Sequence, residues 1–476
     1  MAKLKINSKD LRMIGYPDGP VVSVAMTTFN RHFKFWTKDA AVALLKDILC
    51  DPARFAGEDI LGCIARHLVP REEQPLEEIH LRTKGVDFTI FGQDYIEEGA
   101  LHQMYQAAKL PVSITGAIMA DAHAGYGLPI GGVLATDNAV IPYGVGVDIG
   151  CRMCLSIFDL PVKDLASKDA FFVRELSSAT LFGSGAMFNR PSDHEVMEHE
   201  LFYLMPKLKS LHGRAWKQLG TSGSGNHFAE FGMVEIKEKD NVLGVEPGLY
   251  IGLLTHSGSR ALGAAIATHY TGIAVSTRRL PQTVKNLAWL NLNEEAGMEY
   301  WLAMNLAGDY AAACHQVIHQ KIAKSLGCKP IKQVENHHNF AWKELLDGRE
   351  VIVHRKGATP AAKDVLGIIP GSMTADGFIV KGKGEAGSIN SASHGAGRKM
   401  SRKTAIASVT DRQFRDVLQR KGVKLLGGGL DESPFAYKDI HKVMQSQRAL
   451  VEIVGRFTPK IVKMDGATHR SWKQRK

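Results

Sequence analysis

Nothing in this chain reads as a membrane span, since no run reaches the roughly 18 apolar residues such a helix needs. The opening residues, MAKLKINSKDLRM, hold no apolar core of a secretory leader, so no leader is expected. Cysteine is sparse, with six widely separated residues among 476. That usage argues against a disulfide framework and for a reducing, cytoplasmic setting in which a thiol serves as metal ligand or nucleophile. No internal repeat or low-complexity tract is present. There is no GxxxxGK(S/T) loop to hold nucleotide phosphates in the usual way, and no convincing GxSxG elbow, although SGSG and HSGS occur. GKGEAG (382–387) matches a dinucleotide fingerprint only loosely. Aromatic-interleaved signatures of RRM or KH modules are missing as well.

Glycine, by contrast, is plentiful: 47 residues, clustered at 143–150, 220–225, 257–263, 371–387 and 395–397. Such clusters mark tight turns and close backbone approaches, which catalytic cores use more than scaffolds do. The formal net charge is +10 with a pI near 9.1, which makes RNA or DNA a reasonable partner. With 45% apolar and 23% charged residues, the chain has the balance of an ordinary globular protein. Its length suits one large domain or two to three modest ones.

Along the chain, VVSVAM (21–26) reads as a strand, and Thr37 as the cap of an amphipathic helix running to about Ile48. The polar, proline-containing REEQPLEE (71–78) is the best linker candidate, so a module of about 70 residues is expected ahead of the main body. From residue 85 onward, β-rich runs alternate with glycine-rich turns: 86–92, 112–120, 248–256, 350–357 and 377–384. The clearest helix runs from about Glu294 to Leu326. Strands of uneven length without a regular βαβ rhythm point to an α+β body.

Several of these strands end in a potential metal ligand beside small residues. GVGVDIGCRMC supplies Asp148 and Cys151, GTSGSGNHFAE supplies Asn226, His227 and Glu230, THSGSR supplies His256, and ENHHNF supplies His337, His338 and Asn339. Asp, Cys and several His make a plausible shell for one or two transition metals. Each residue also has a structural reading, as turn cap, buried thiol or hydrogen-bonded histidine; recurrence at strand ends is what favours a joint site. His315 and His319, i and i+4 in HQVIH, lack the HExxH glutamate and are read as helix packing and surface. Cys151 and Cys154 have no second CxxC to complete a structural zinc site. Asp121 and His123, in DAHAGYG, are read as support for the site or as structure. SASHGAGRKMSR (391–402) admits two readings. It is a glycine-rich turn before a basic solvated helix, or it holds a histidine, His394, that touches phosphate, with Arg398, Lys399, Arg402 and Lys403 supplying charge.

The blocks GVDIGC, GSGNHF, HSGSR, HHN, IPGSM and SHGAGRKMSR, in that order, resemble the RtcB family of GTP-dependent RNA ligases over roughly residues 80–466. The resemblance implies one large catalytic domain of β-sheets flanked by helices (76–466), an N-terminal extension of unassigned role (1–75) and a basic C-terminal tail (467–476). It implies two manganese ions bridged by Cys151, with Asp148 and His227 completing one site and His256 and His338 the other. Ligand softness alone would favour zinc. It further implies that His394 is the nucleophile that becomes guanylylated. The GTP site would be lined by Asn226, His227, Phe228, Ala229, Glu230, His338, Asn339, Pro370, Gly371, Ser372 and Met373, together with His394, Gly395, Ala396 and Gly397. The implied reaction passes GMP from His394 to an RNA 3′-phosphate, itself obtained from a 2′,3′-cyclic phosphate where necessary. A 5′-hydroxyl then displaces GMP and joins the strands, as in tRNA splicing or RNA repair. Two positions depart from the family pattern: Gly377 stands where a serine usually follows PGSM, and Asp465 where a lysine usually contacts the base, with Lys463 nearby.

The partners implied are RNA ends, tRNA among them, and GTP, with an accessory activating protein as a further candidate, no membrane and a monomeric chain. Three other readings stay open at this point. A paralogue that caps 3′-phosphate ends without sealing them would leave a stable nucleotide adduct. A metal-bound RNA-binding protein would not turn over, and a metallophosphoesterase would need no nucleotide.

Overall fold

The computed structural model describes residues 4, 6–17, 20–65, 67–69 and 78–466. Two compact units divide the chain, residues 1–77 and 78–476. The expected linker, apart from Glu78, and the expected tail at 467–476 lie outside the described residues.

The first unit is helical among its described residues, with helices Ser8–Met13, Pro20–His32, Lys38–Cys50, Pro52–Phe55 and Gly62–Ala65. Asn7 and Asp10 form a reciprocal capping box at the first helix, and the Thr37 hydroxyl caps the third, where the sequence places it. The strand expected at 21–26 is instead part of the helix Pro20–His32. Its β-branched residues favour extended chain, but the buried positions Val21, Val22, Ala25 and Phe29 recur at helical spacing. Packing against Leu11, Leu45 and Ile48 decides the outcome.

The second unit is α+β, with sheets flanked by helices. A five-stranded sheet runs in the order Phe88–Ile90, Ser113–His123, Ile130–Thr136, Arg349–Lys356, Asn339–Leu346. A larger sheet runs Leu366–Ile369, Gly377–Gly382, Val451–Met464, Phe228–Ile236, Gly248–Ser257, Arg152–Phe158, Lys332–His337. Lys424–Leu426 pairs off its long C-terminal strand. The two outer strands of this path are latched by one side chain. Asn336 accepts from the Ile368 N–H at 2.8 Å and donates to the Ile368 carbonyl at 3.3 Å, as a neighbouring strand would. The sheet is thus nearly closed, and closure protects edge groups that would otherwise lack partners.

Side chains alternate across this curved sheet. Met153, Leu155, Ile157, Leu254, Val234 and Phe457 share one core, while Phe158, Ala229, Phe231, Ile251 and Leu253 pack with Ile322 on the other face. Ile322 belongs to the helix Glu295–Leu326, which begins within a residue of the expected start and ends at Gly327 in left-handed conformation. His315 and His319 on this helix are buried, at 0% and 3% exposure, and not surface residues as expected. Their i, i+4 spacing puts both on the sheet-facing side. Among the described residues no helix is long and apolar enough to cross a membrane.

Candidate functional site

Three neighbouring strands bring the expected ligands together. Arg152–Phe158 follows Cys151, Phe228–Ile236 follows His227, and Gly248–Ser257 carries His256; Phe228 and His256 are register partners. His338 sits between the strands Lys332–His337 and Asn339–Leu346, where the chain passes from the large sheet to the smaller one. The donor atoms form a continuous chain. Asp148 Oδ2 lies 3.0 Å from His227 Nε2, which lies 3.4 Å from Cys151 Sγ. Cys151 Sγ is 3.2 Å from His256 Nε2, itself 3.2 Å from His338 Nε2.

The outer nitrogens explain why these atoms face one another. His227 Nδ1–H donates to the Ser222 carbonyl at 2.7 Å and His256 Nδ1–H to the Asn226 carbonyl at 3.0 Å. A carbonyl only accepts, so His256 Nε2 bears a lone pair aimed inward, while His227 Nδ1 also meets the Arg260 guanidinium at 2.9 Å and its Nε2 faces the Asp148 carboxylate. Lone pairs, a carboxylate and a sulfur this close repel one another unless a cation stands among them. His338 Nδ1 is buried without a hydrogen-bond partner among the described residues. A Cβ on Gly258 would lie 2.2 Å from the Asp148 carboxylate, so only glycine leaves this group room. The donor set therefore fits metal ions, and its second-layer carbonyls are what metal-ligating histidines ordinarily use.

Electrostatics agree. Burial alone would raise the Asp148 pKa, but His227 and Arg260 outweigh it and hold the carboxyl well below the usual range. Burial pushes His256 down to about 3 and His338 well below its ordinary value, so both rings are neutral. Burial, with Asp148 beside it, pushes the Cys151 thiol up, so ionising it calls for a cation. Asn339 steadies the assembly, donating to the Asp148 carbonyl at 3.4 Å and accepting from the Gly357 N–H at 2.9 Å.

A cavity of about 670 Å³ opens beside this cluster. Of the expected nucleotide residues, Asn226, Phe228, Glu230, His338, Pro370, Gly371, Ser372, Met373, His394, Gly395, Ala396 and Gly397 line it. His227 and Asn339 are not among the residues lining the cavity. Ala229 does not reach it: strand alternation turns its side chain into the opposite core, beside Phe231. Burial pushes the Glu230 carboxyl well above its usual range. Gly377 lines the cavity too, whereas Lys463 donates away from it, to the Ser177 and Thr180 carbonyls at 2.9 and 3.1 Å.

His394 stands at the junction of cavity and cluster, its ring centroid 4.9 Å from that of His338. Buried Asp121 accepts its Nδ1–H at 2.7 Å and its main-chain N–H at 3.2 Å. Nε2 is thereby left as the lone-pair nitrogen. Gly397 has φ +70°, and a Cβ there would lie 2.1 Å from the Asp121 carbonyl; its smallness lets the two segments touch. The turn is indeed followed by a helix, Arg402–Ser408, yet Arg398 and Arg402 are not merely solvated. Both reach buried Glu432, at 3.0 Å each, and both line the cavity with Lys399. Lys403 is exposed and outside the lining.

Sequence reasoning left Asp121 undecided and passed over Arg260, which donates to the Ser222 carbonyl at 2.7 Å and so fixes the group that orients His227. Arg260 closes the HSGSR block, which was its only signal.

Comparison with known proteins gives a consistent result. A family model described as tRNA-splicing ligase RtcB matches residues 103–210 and 188–465. RNA-splicing ligase RtcB of Escherichia coli (strain K12) is 34% identical over 422 residues, covering 81% of this chain and 96% of the relative. The tRNA-splicing ligases RtcB of Archaeoglobus fulgidus and Methanococcus maripaludis are 31% and 30% identical, over 76% and 73% of this chain and 90% and 87% of their own lengths. The motif blocks, the match across most of the chain and these relatives agree, and the chain belongs to the RtcB family of tRNA-splicing ligases.

Proposed function

We propose that this protein is an RNA ligase that joins 3′-phosphate or 2′,3′-cyclic-phosphate ends to 5′-hydroxyl ends through a His394–GMP intermediate. The observation that carries this reading is the Asp121–His394 pair, which holds a lone-pair nitrogen at the cavity wall beside the donor cluster. Two manganese ions, one held by Asp148 and His227, the other by His256 and His338, with Cys151 between, would neutralise phosphate charge and stabilise the pyrophosphate leaving group.

The chain's own groups do the rest. His394 Nε2 attacks the α-phosphorus of GTP; an N–P bond forms, the bond from that phosphorus to the bridging oxygen breaks, and pyrophosphate departs. Asp121 keeps the Nδ1 proton and offsets the positive charge that grows on the ring. An oxygen of the RNA 3′-phosphate then takes GMP from Nε2, and the RNA 5′-hydroxyl displaces GMP to complete the phosphodiester. Glu230 and Gly377 would face the nucleotide, and Arg398, Lys399 and Arg402 would meet phosphates. We assign this chemistry to residues 76–466, place residues 1–75 and 467–476 outside the catalytic domain, and expect a cytoplasmic monomer that acts on broken or spliced RNA, tRNA included.

The test is self-labelling with α-labelled GTP and Mn²⁺, read on a denaturing gel beside His394→Ala, with labelled ATP, Mg²⁺ and Zn²⁺ in parallel. An acid-labile, GTP- and Mn-dependent band absent from the variant is expected. No label with any metal would overturn the reading.

A further inference from the structure

A second group of soft donors lies on the reverse face of the sheet that carries the candidate ligands. Cys154 and Thr255 are register partners, and with Ser156 they face the helix Glu295–Leu326. There the thiol meets His315 and His319: one donor atom from each of the three residues lies within 4.8 Å of the others, and all three side chains are buried. The family chemistry described above does not use this group, and the sequence pattern alone marks its histidines as helix packing and surface.

The hydrogen bonds determine which ring nitrogens face inward. His315 Nε2 is 3.3 Å from the Ser257 carbonyl, which only accepts, so Nε2 carries the proton and Nδ1 a lone pair. That Nδ1 lies 2.6 Å from Thr255 Oγ1. His319 is held in mirror fashion, with Nδ1 2.7 Å from Ser156 Oγ and Nε2 2.8 Å from the same Thr255 Oγ1. The outer nitrogen of His315 thus rests on a carbonyl and that of His319 on a hydroxyl that also accepts from Gln333, while both inner nitrogens converge on Thr255 Oγ1, next to a thiol. That is the arrangement of metal-bound histidines, whose outer N–H is fixed by a carbonyl or hydroxyl.

We propose that Cys154, His315 and His319, with the Thr255 hydroxyl as a neutral fourth donor, form a structural zinc site separate from the manganese-binding cluster. One thiolate and two imidazoles select a soft, thiophilic cation over hard manganese, and full burial suits a closed four-coordinate centre. The thiolate cancels one of the two charges of zinc. The bound ion would rivet the long helix to the two strands that bear Cys151 and His256. Thr255 adjoins His256 in sequence, and Cys154 follows Cys151 by three residues.

The proposal is tested on the full chain by metal content, independently of ligation or labelling. Cys151→Ser weakens the manganese-binding cluster; this variant, loaded with Zn²⁺ and freed of excess by gel filtration, should retain one zinc per chain. Loaded with Co²⁺, it should show a thiolate-to-cobalt charge-transfer band in the near ultraviolet. Both signals should vanish in Cys151→Ser/Cys154→Ser and in Cys151→Ser/His315→Gln, with circular dichroism verifying the fold of each. Should either double variant fail to fold, the Cys151→Ser chain alone decides. A folded Cys151→Ser chain with no retained zinc and no cobalt band overturns the site, as does a zinc count that survives loss of Cys154.

Discussion

Asp121 holds His394 twice through one oxygen, Oδ2 accepting both the ring Nδ1–H at 2.7 Å and the main-chain N–H at 3.2 Å. The carboxylate thus fixes where the ring stands and which tautomer it adopts. Asp121→Asn should keep both hydrogen bonds through its amide oxygen and remove the negative charge that offsets the positive charge growing on the ring. Self-guanylylation should fall by about 10²- to 10⁴-fold in rate, with GTP affinity nearly unchanged. Single-turnover labelling against GTP concentration separates the two effects, and a change confined to affinity would contradict this role.

Arg260→Lys should weaken metal binding although Arg260 is not itself a ligand; its guanidinium lies 2.9 Å from His227 Nδ1. The guanidinium holds the Ser222 carbonyl, which in turn holds His227 Nδ1–H. A single ammonium cannot reproduce its forked geometry, and a loss of about 10- to 100-fold in Mn²⁺ affinity is expected by calorimetry.

Gly397→Ala should disable labelling and destabilise the fold together. The added Cβ would lie 2.1 Å from the Asp121 carbonyl at a φ of +70°. A loss of more than about 1 kcal/mol in urea unfolding is expected, alongside loss of the His394 adduct.

Acid should unfold the metal-free protein well before its carboxylates protonate. Burial pushes His123 and His354 down to about 4, and His256, His319 and His337 to about 3. The unfolded chain takes up protons near pH 6.5 that the folded chain refuses, so stability is complete above that pH and declines as the pH falls toward 3–4. Each such histidine costs about 2 kcal/mol at pH 5. The urea midpoint in EDTA should drop steeply between pH 7 and pH 5, and added metal should flatten the slope.

Much of the site was legible because its residues sit at strand ends, where sequence neighbours and spatial neighbours coincide. Asp148, Cys151 and His227 stand just ahead of a strand and not at its close as expected, His256 lies near the end of one and His338 between two, and the antiparallel sheet order brings these ends together. What was lost depends on register and on depth. Ala229 stands between two cavity residues, yet a period of two sends it to the other core. His315 and His319 have spacing that is neutral between surface and interior until the partner sheet is known. VVSVAM carries strand propensity that only the packing of Val22, Ala25 and Phe29 overrules. Asp121 lies 273 residues from His394, a separation across which no local pattern speaks.

The latch formed by Asn336 has a consequence for fidelity. Two adjacent histidines follow it, and only His338 points its Nε2 at His256. The neighbouring His337 stacks instead against Phe340 and Trp342, with ring centroids 5.1 and 4.9 Å away. A slip of one residue would exchange the two rings and leave the cluster facing the wrong imidazole. By clasping Ile368 from the far side of the sheet, Asn336 makes that misalignment lose two hydrogen bonds at once, so a single amide proofreads which histidine is presented.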